Sequence, residues 1–413
     1  MSSTKSSSGA EPRHWQVFAA APHRMMFFAG AVQAMLAMGL WLVELLGRAG
    51  YVPPLPMVIT SAWAHIFLML FGLFPFFIFG FLLTVYPRWM GGPVVPVSRY
   101  VTVFLMLAAG MILFYAGLFT SGTILIVALA WQLIGWGVGI FSLLAVFRQA
   151  PKRGPHERLL NLALFAAMGG IVSFLYGVLS DSGEAFLLAR ELGLWLFLVP
   201  VVFTVSHRMI PFFSSTALDN YIMVRPSWSL PLLAAGVIGH AALEMLGFPQ
   251  WLFVVDAPLL FMALHHSLLW QLRRSFEVRL LAMLHIAFLW FGLAMALYLV
   301  QSIVLLTSHV WVLGRAPLHA LGIGFITSMM VAMVSRVTLG HSGRALEADD
   351  LTWRVLFGVN ITAILRITAE IAPGNAAGAL NILAALAWLI SLSPWVWRYA
   401  PMYLRTRVDG KPG

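Results

Sequence analysis

Apolar stretches of about 20 residues, the length that crosses a bilayer's hydrocarbon as helix, recur along almost the whole chain. They lie near 25–46, 58–86, 99–119, 123–147, 159–179, 185–207, 228–247, 250–272, 279–304, 317–338, 353–371 and 376–398. A backbone immersed in lipid must satisfy its own hydrogen bonds, so each stretch predicts a helix. The fold class is therefore all-α, a polytopic membrane helix bundle of about twelve transmembrane helices. With 61% hydrophobic and 10% charged residues in 413, and a mean hydropathy of +0.90, little is left over for a soluble domain. The expected organisation is a tail over 1–24, a transmembrane domain over 25–398 and a second tail over 399–413.

Charge orients the bundle. With the N terminus inside, 21 of the 25 Lys and Arg residues fall in cytoplasmic tails and loops, Arg48 and Arg315 in outer loops, and Arg190 and Arg366 within spans. The positive-inside rule then places both termini in the cytoplasm. Bases dispersed over short loops in this way account for the formal net charge of +10 and exclude a nucleic-acid role. The opening MSSTKSSSGAEPRH is polar and lacks a small-residue cleavage site, so it reads as a retained cytoplasmic tail. Trp89, Trp353, Trp395 and Trp397 sit at span ends and are expected to anchor at the interface.

Cysteine is absent, which excludes disulfides, thiolate metal sites and c-type haem attachment and leaves His, Met and carboxylates as side-chain ligands. Histidine supplies the informative pattern. A polar ring in hydrocarbon needs a partner or a metal, and seven histidines fall in or at the end of apolar runs. Helical rise of about 1.5 Å per residue sorts the polar residues by depth. Toward the outside lie His65, the neighbours Arg190 and Glu191, His240 with Glu244, Asp256, His319, and Arg366 with Glu370. Toward the cytoplasm lie His207, His265, His266, His285 and the loop residue His341.

His65 and His319, at matching depth on the second and tenth spans, have the arrangement that six-coordinate haem b requires. Arg315 and Arg366 are suitable partners for its propionates, through guanidinium–carboxylate pairing. The alternative for each histidine is a simple hydrogen bond to a carbonyl or an acid, and His240 with Glu244, one turn apart, reads best that way. Arg190–Glu191 and Arg366–Glu370 read as self-neutralising pairs. His285 is the next metal candidate, with His207 or His341 as its companion. The methionines, including Met329, Met330 and Met333, suit Cu(I) chemically but more commonly only pack. Glycines 135, 137, 139, 322 and 324 read as close helix packing. The span ends TVYPR (Thr84–Arg88), TVSHR (Thr204–Arg208) and MVSR (Met333–Arg336) form a faint echo at intervals of four helices.

Three segments carry a family resemblance: LHALGIGFITSMMVAMVSRVTLGHSGR (Leu318–Arg344), AHIFLMLFGLFPFFIFGFLLTVYPRWMGG (Ala64–Gly92) and RMIPFFSSTAL after His207. Together they resemble the NnrS family of bacterial inner-membrane proteins. The resemblance implies bound haem and copper and a role in the response to nitric oxide. Carried over by motif, the histidines of interest are His65, His285, His319 and His341, with His207 as a further metal candidate. The family's second helix usually opens His-Ala-His-Glu, whereas here Trp63, Ala64, His65 and Ile66 stand there, so one imidazole and one carboxylate are missing. A weaker, architectural similarity is to haem–copper oxidases, which also hold a haem between helices two and ten.

The resulting expectation is a multi-pass inner-membrane haem b protein, with copper as a second cofactor, that binds nitric oxide or transfers electrons from a quinol or another membrane donor. If both His65 and His319 ligate the iron, nitric oxide must displace one of them or react at a second centre. Two other classes stay open on the residues alone. One is a transporter or channel with a His/Arg/Glu-lined pathway; the other is a non-catalytic haem-bearing sensor or assembly subunit.

Overall fold

The computed structural model describes residues 14–410; the expectation of a cytoplasmic tail over the first thirteen residues lies outside them. Among the described residues there are helices and connections and no strands. After a short helix over His14–Phe18 come α1 (Pro22–Arg48), α2 (Ser61–Met90), α3 (Val97–Thr120), α4 (Gly122–Gln149), α5 (Pro155–Ser180) and α6 (Gly183–Ala217). The second half holds α7 (Ser229–Met245), α8 (Phe253–Leu269), α9 (Arg279–Ser308), α10 (Ala316–His341), α11 (Asp350–Ile371) and α12 (Asn375–Tyr403). Every apolar run of the sequence falls on one of these helices.

Nine of them, among the described residues, are long and apolar enough to cross a membrane. Of the other three, α7 and α8 are apolar but have only 17 residues each, and α11 carries Asp350, Arg354, Arg366 and Glu370.

Helix ends follow ordinary capping chemistry. Ser121, Ser182 and Asp349 accept the backbone N–H of Thr123, Ala185 and Thr352, and Pro22 and Pro155 occupy first-turn positions that need no donor. Three helices are irregular in the same way: α2, α6 and α10 contain π-helical stretches at Leu68–Leu73, Leu194–Leu198 and Ala320–Thr327. In α2 and α6 a proline supplies the cause. Pro75 and Pro200 lack an N–H and crowd the carbonyls of Phe71 and Leu196, four residues back and inside the widened turns. In α10 no proline is present; Thr327 Oγ1 instead donates to the carbonyl of Gly322 at 2.9 Å, a side-chain insertion into the ladder.

These irregular helices lie inside the bundle. The most apolar stretch is 89% buried in α2, 67% in α6 and 78% in α10, against 22% in α12 at the periphery, as expected of helices apolar on all faces. Around them α1 packs on α2 and α12, α3 on α4, α5 on α6, α8 on α9, α9 on α10, and α11 on α12.

Small residues permit the close approaches. Phe71 fits between α5 and α6 because Gly170 and Gly193 offer no side chain; a Cβ on either would sit 2.6 Å from its ring. Gly135, Gly139 and Gly324 face Met106, Phe79 and Trp290 as close packing requires, whereas Gly137 and Gly322 face open space. A Cβ at Gly139 would lie 2.6 Å from the fully buried Phe79 ring, so Gly139→Leu is expected to destabilise the bundle by about 1–3 kcal/mol. A thermal melt in detergent reads this, and an unchanged melt would contradict the packing.

Among the expected interfacial tryptophans, Trp395 is a correction. It is fully buried and donates from Nε1 to Ser335 Oγ on α10 at 2.9 Å, because its face of α12 turns inward. Trp397, two residues on, is 85% exposed.

Candidate functional site

Between α1, α2, α6, α10, α11 and α12 lies a cavity of about 380 Å³ whose wall includes His65, His319, Arg190, Arg315 and Arg366. The two histidines expected to face one another thus open onto one space, together with both arginines proposed for an anionic partner and a third, Arg190. The rest of the wall is chiefly apolar, with Trp41, Trp63, Ile66, Phe74, Ile323 and Trp388. Trp63 and Ile66, which stand where an imidazole and a carboxylate were expected from the resemblance, are cavity walls here; Trp63 stacks on Phe186 with centroids 5.1 Å apart.

Each histidine is held differently. His65 lies on α2 just before its π-helical stretch and stacks on Trp41 of α1, ring centroids 4.1 Å apart. Arg48 covers the same indole at 5.0 Å and is itself tied to Glu44 and Ser61, a cation–π layer that fixes the indole's position. The Nδ1 of His65 is buried and has no hydrogen-bond partner. His319 Nδ1 is 2.9 Å from the carbonyl oxygen of Arg315. A carbonyl only accepts, so this nitrogen carries the proton and Nε2 keeps its lone pair, the tautomer of a metal-ligating imidazole.

Glu370 organises the cationic side. Its Oε2 accepts the backbone N–H of Arg315 at 2.9 Å and its Oε1 pairs with Arg366 Nη2 at 2.5 Å. Arg366 Nη1 remains buried without a partner, and the Arg315 guanidinium makes no ion pair among the described residues. Arg190 bonds Glu191 at 2.6 Å and lies 3.7 Å from Glu244. Both self-neutralising pairs read from the sequence are therefore present, and Arg190 also reaches across to α7.

These features fit a haem. Two imidazoles share the wall, one with an orphaned Nδ1 and one whose Nδ1–H bond leaves the Nε2 lone pair free; Arg366 Nη1 is buried without a hydrogen-bond partner; and Gly322 presents a face where an added Cβ meets nothing. No group of three His, Cys, Asp or Glu side chains that could hold a metal comes together among the described residues.

The remaining metal candidates do not line this cavity. His207 is buried at the far end of α6, its Nδ1 3.0 Å from His156 Nε2, its ring 5.6 Å from that of His266, and its Nε2 unpartnered. His266 donates from Nδ1 to the Met262 carbonyl at 2.7 Å, so its Nε2 accepts the Ser229 hydroxyl at 2.8 Å. His285 is buried with Nε2 unpartnered and without ring contact to another histidine among the described residues. His341, expected in a loop, is the last residue of α10 and lies 4.4 Å from the ring of His23.

His240 departs from its expected bond to Glu244. It pairs through Nδ1 with Asp256 Oδ1 of α8 at 2.8 Å, both side chains having no exposure, and stacks at 3.5 Å on Trp195. Sequence reasoning missed Trp41, Arg190's place in the wall, His156 and His23. The last two had the same signal as the others, an imidazole beside an apolar run.

A family model described as NnrS protein matches residues 17–407, nearly the whole chain. No curated protein matches the sequence significantly.

Proposed function

The chain belongs to the NnrS family, and from that premise, which links it to the nitric oxide response, we propose that it is a haem b protein of the bacterial inner membrane. Its role is to bind nitric oxide or to transfer electrons in nitric oxide metabolism or protection, with a quinol or another membrane donor as partner. The single observation that carries this reading is the convergence of His65, His319, Arg190, Arg315 and Arg366 on one otherwise apolar cavity. Haem in that place supplies one-electron redox chemistry and an iron able to bind a diatomic gas.

The chain's own residues do the rest. His319 is pinned by its Nδ1–H bond to the Arg315 carbonyl, while His65 is held only through Trp41 and is the freer of the two rings. Arg366 and Arg315, both in the wall, would pair with the propionates of a bound haem. Trp63, Ile66, Phe74 and Trp388 make the wall chiefly apolar and would keep water from a bound haem, so strengthening each charge interaction in the wall. The topology that goes with this reading has α7, α8 and α11 completing twelve spans and both termini cytoplasmic. Two short helices at the depth of nine long ones need only modest local thinning, and the Lys and Arg distribution supports the orientation.

Arg366→Leu tests the cationic wall. A charge-assisted hydrogen bond contributes about 1.5–3 kcal/mol, so the variant is expected to release haem to an excess of apomyoglobin about tenfold to a hundredfold faster. Release at the wild-type rate would remove Arg366 from the site and weaken the haem reading.

A further inference from the structure

A second, smaller cavity of about 70 Å³, partly open, lies between α2, α6 and α10 with one contribution from α1. Phe77, Val201, Val205, Met329, Met330 and Met333 form much of its wall, each buried, and no lining side chain carries a hydroxyl, amide or charge. Water needs two to four polar partners to stay ordered at a site, and these side chains offer it none, whereas xenon and small apolar molecules need no such partners. The space is several times the one-probe minimum and far too small for a porphyrin or a lipid tail.

Three features argue against a mere packing fault. Protein interiors close such voids almost everywhere, yet here three methionines, the side chains best able to reshape into a gap, line the wall and leave it open. The cavity lies among the three helices that carry the π-helical stretches. Phe74 and Ile326 belong to its wall and also to the wall of the His65–His319 cavity, so the two spaces are neighbours separated by those side chains.

We propose that this apolar cavity is a docking site for a small apolar gas, nitric oxide, held next to the His65–His319 cavity. The identity of the gas rests on the proposed function; the existence of the gas site does not. An uncharged diatomic of very low polarity loses little hydration on entering and gains dispersion contacts with the aromatic, aliphatic and thioether groups of the wall.

Crystals of the full-length protein pressurised with xenon test the site without reference to haem. An anomalous peak is expected between Phe77, Val205 and Met330, and Val205→Phe, which fills the space, is expected to abolish that peak alone. Nitric oxide admitted together with xenon is expected to lower it by competition. Ordered water in the cavity, or xenon peaks elsewhere with none here, would overturn the proposal; a peak unchanged by nitric oxide would overturn nitric oxide as the occupant. Should Val205→Phe fail to fold, the wild-type peak decides. A xenon-binding protein whose haem ignores nitric oxide, or which holds no haem, would sink the proposed function and leave the gas site standing.

Discussion

Protein purified with His319→Ala or His65→Ala is expected to lose most of its haem absorbance while still assembling in the membrane. Each imidazole stands at the cavity wall without structural duties that would collapse the bundle. His319 makes one bond to a carbonyl one turn back in its own chain, and His65 stacks on Trp41 with its Nδ1 bonding nothing. Removing either costs the fold little and, on the proposed function, would remove one of the two side chains that hold the haem. His285→Ala is the matched control, since His285 is buried like the others but lies outside the wall; its spectrum is expected to stay at wild-type intensity. Full absorbance in both cavity variants would exclude these two residues as ligands.

The second large effect concerns stability. Asp256→Ala is expected to destabilise the protein by about 3–5 kcal/mol, the usual consequence of stripping one member from a fully buried pair. His240 and Asp256 have no exposure and no other hydrogen-bond partners, so the imidazole left behind has neither water nor acceptor at Nδ1. Trp195 on one face and Tyr298, whose ring is 4.7 Å away, hold the imidazole where it is. Replacing both together, His240→Phe with Asp256→Leu, is expected to recover most of the loss, because an apolar pair of similar volume leaves nothing orphaned. Thermal unfolding in detergent measures both; equal loss in the single and double variants would show that the pair packs rather than compensates charge.

Legibility in the sequence follows from which force sets each feature. Lipid demands long apolar helices, so every run from 25–46 to 376–398 could be read off the chain and each lies on a helix. Depth along a helix follows from rise per residue, so the sequence alone sets His65 level with His319 and Arg366 in the same outer layer. Rotation about the helix axis is set by packing between helices distant in sequence, and there the reading ended. Glu244, one turn from His240, was the natural partner by spacing, but Asp256 on α8 takes the bond and Glu244 turns toward Arg190. Trp395 looked interfacial by position and is buried by rotation, while His341 and His23 meet although 318 positions separate them. The π-helical stretches of α2 and α6 were foreshadowed by Pro75 and Pro200; that of α10 depends on where Thr327 points.

The most direct test is the reduced-minus-oxidised visible spectrum of protein purified from haem-replete membranes, repeated after nitric oxide is added to the reduced sample. The expected result is a b-type spectrum that nitric oxide perturbs. A colourless protein made with ample haem would contradict it and put a histidine- and arginine-lined transport pathway in its place.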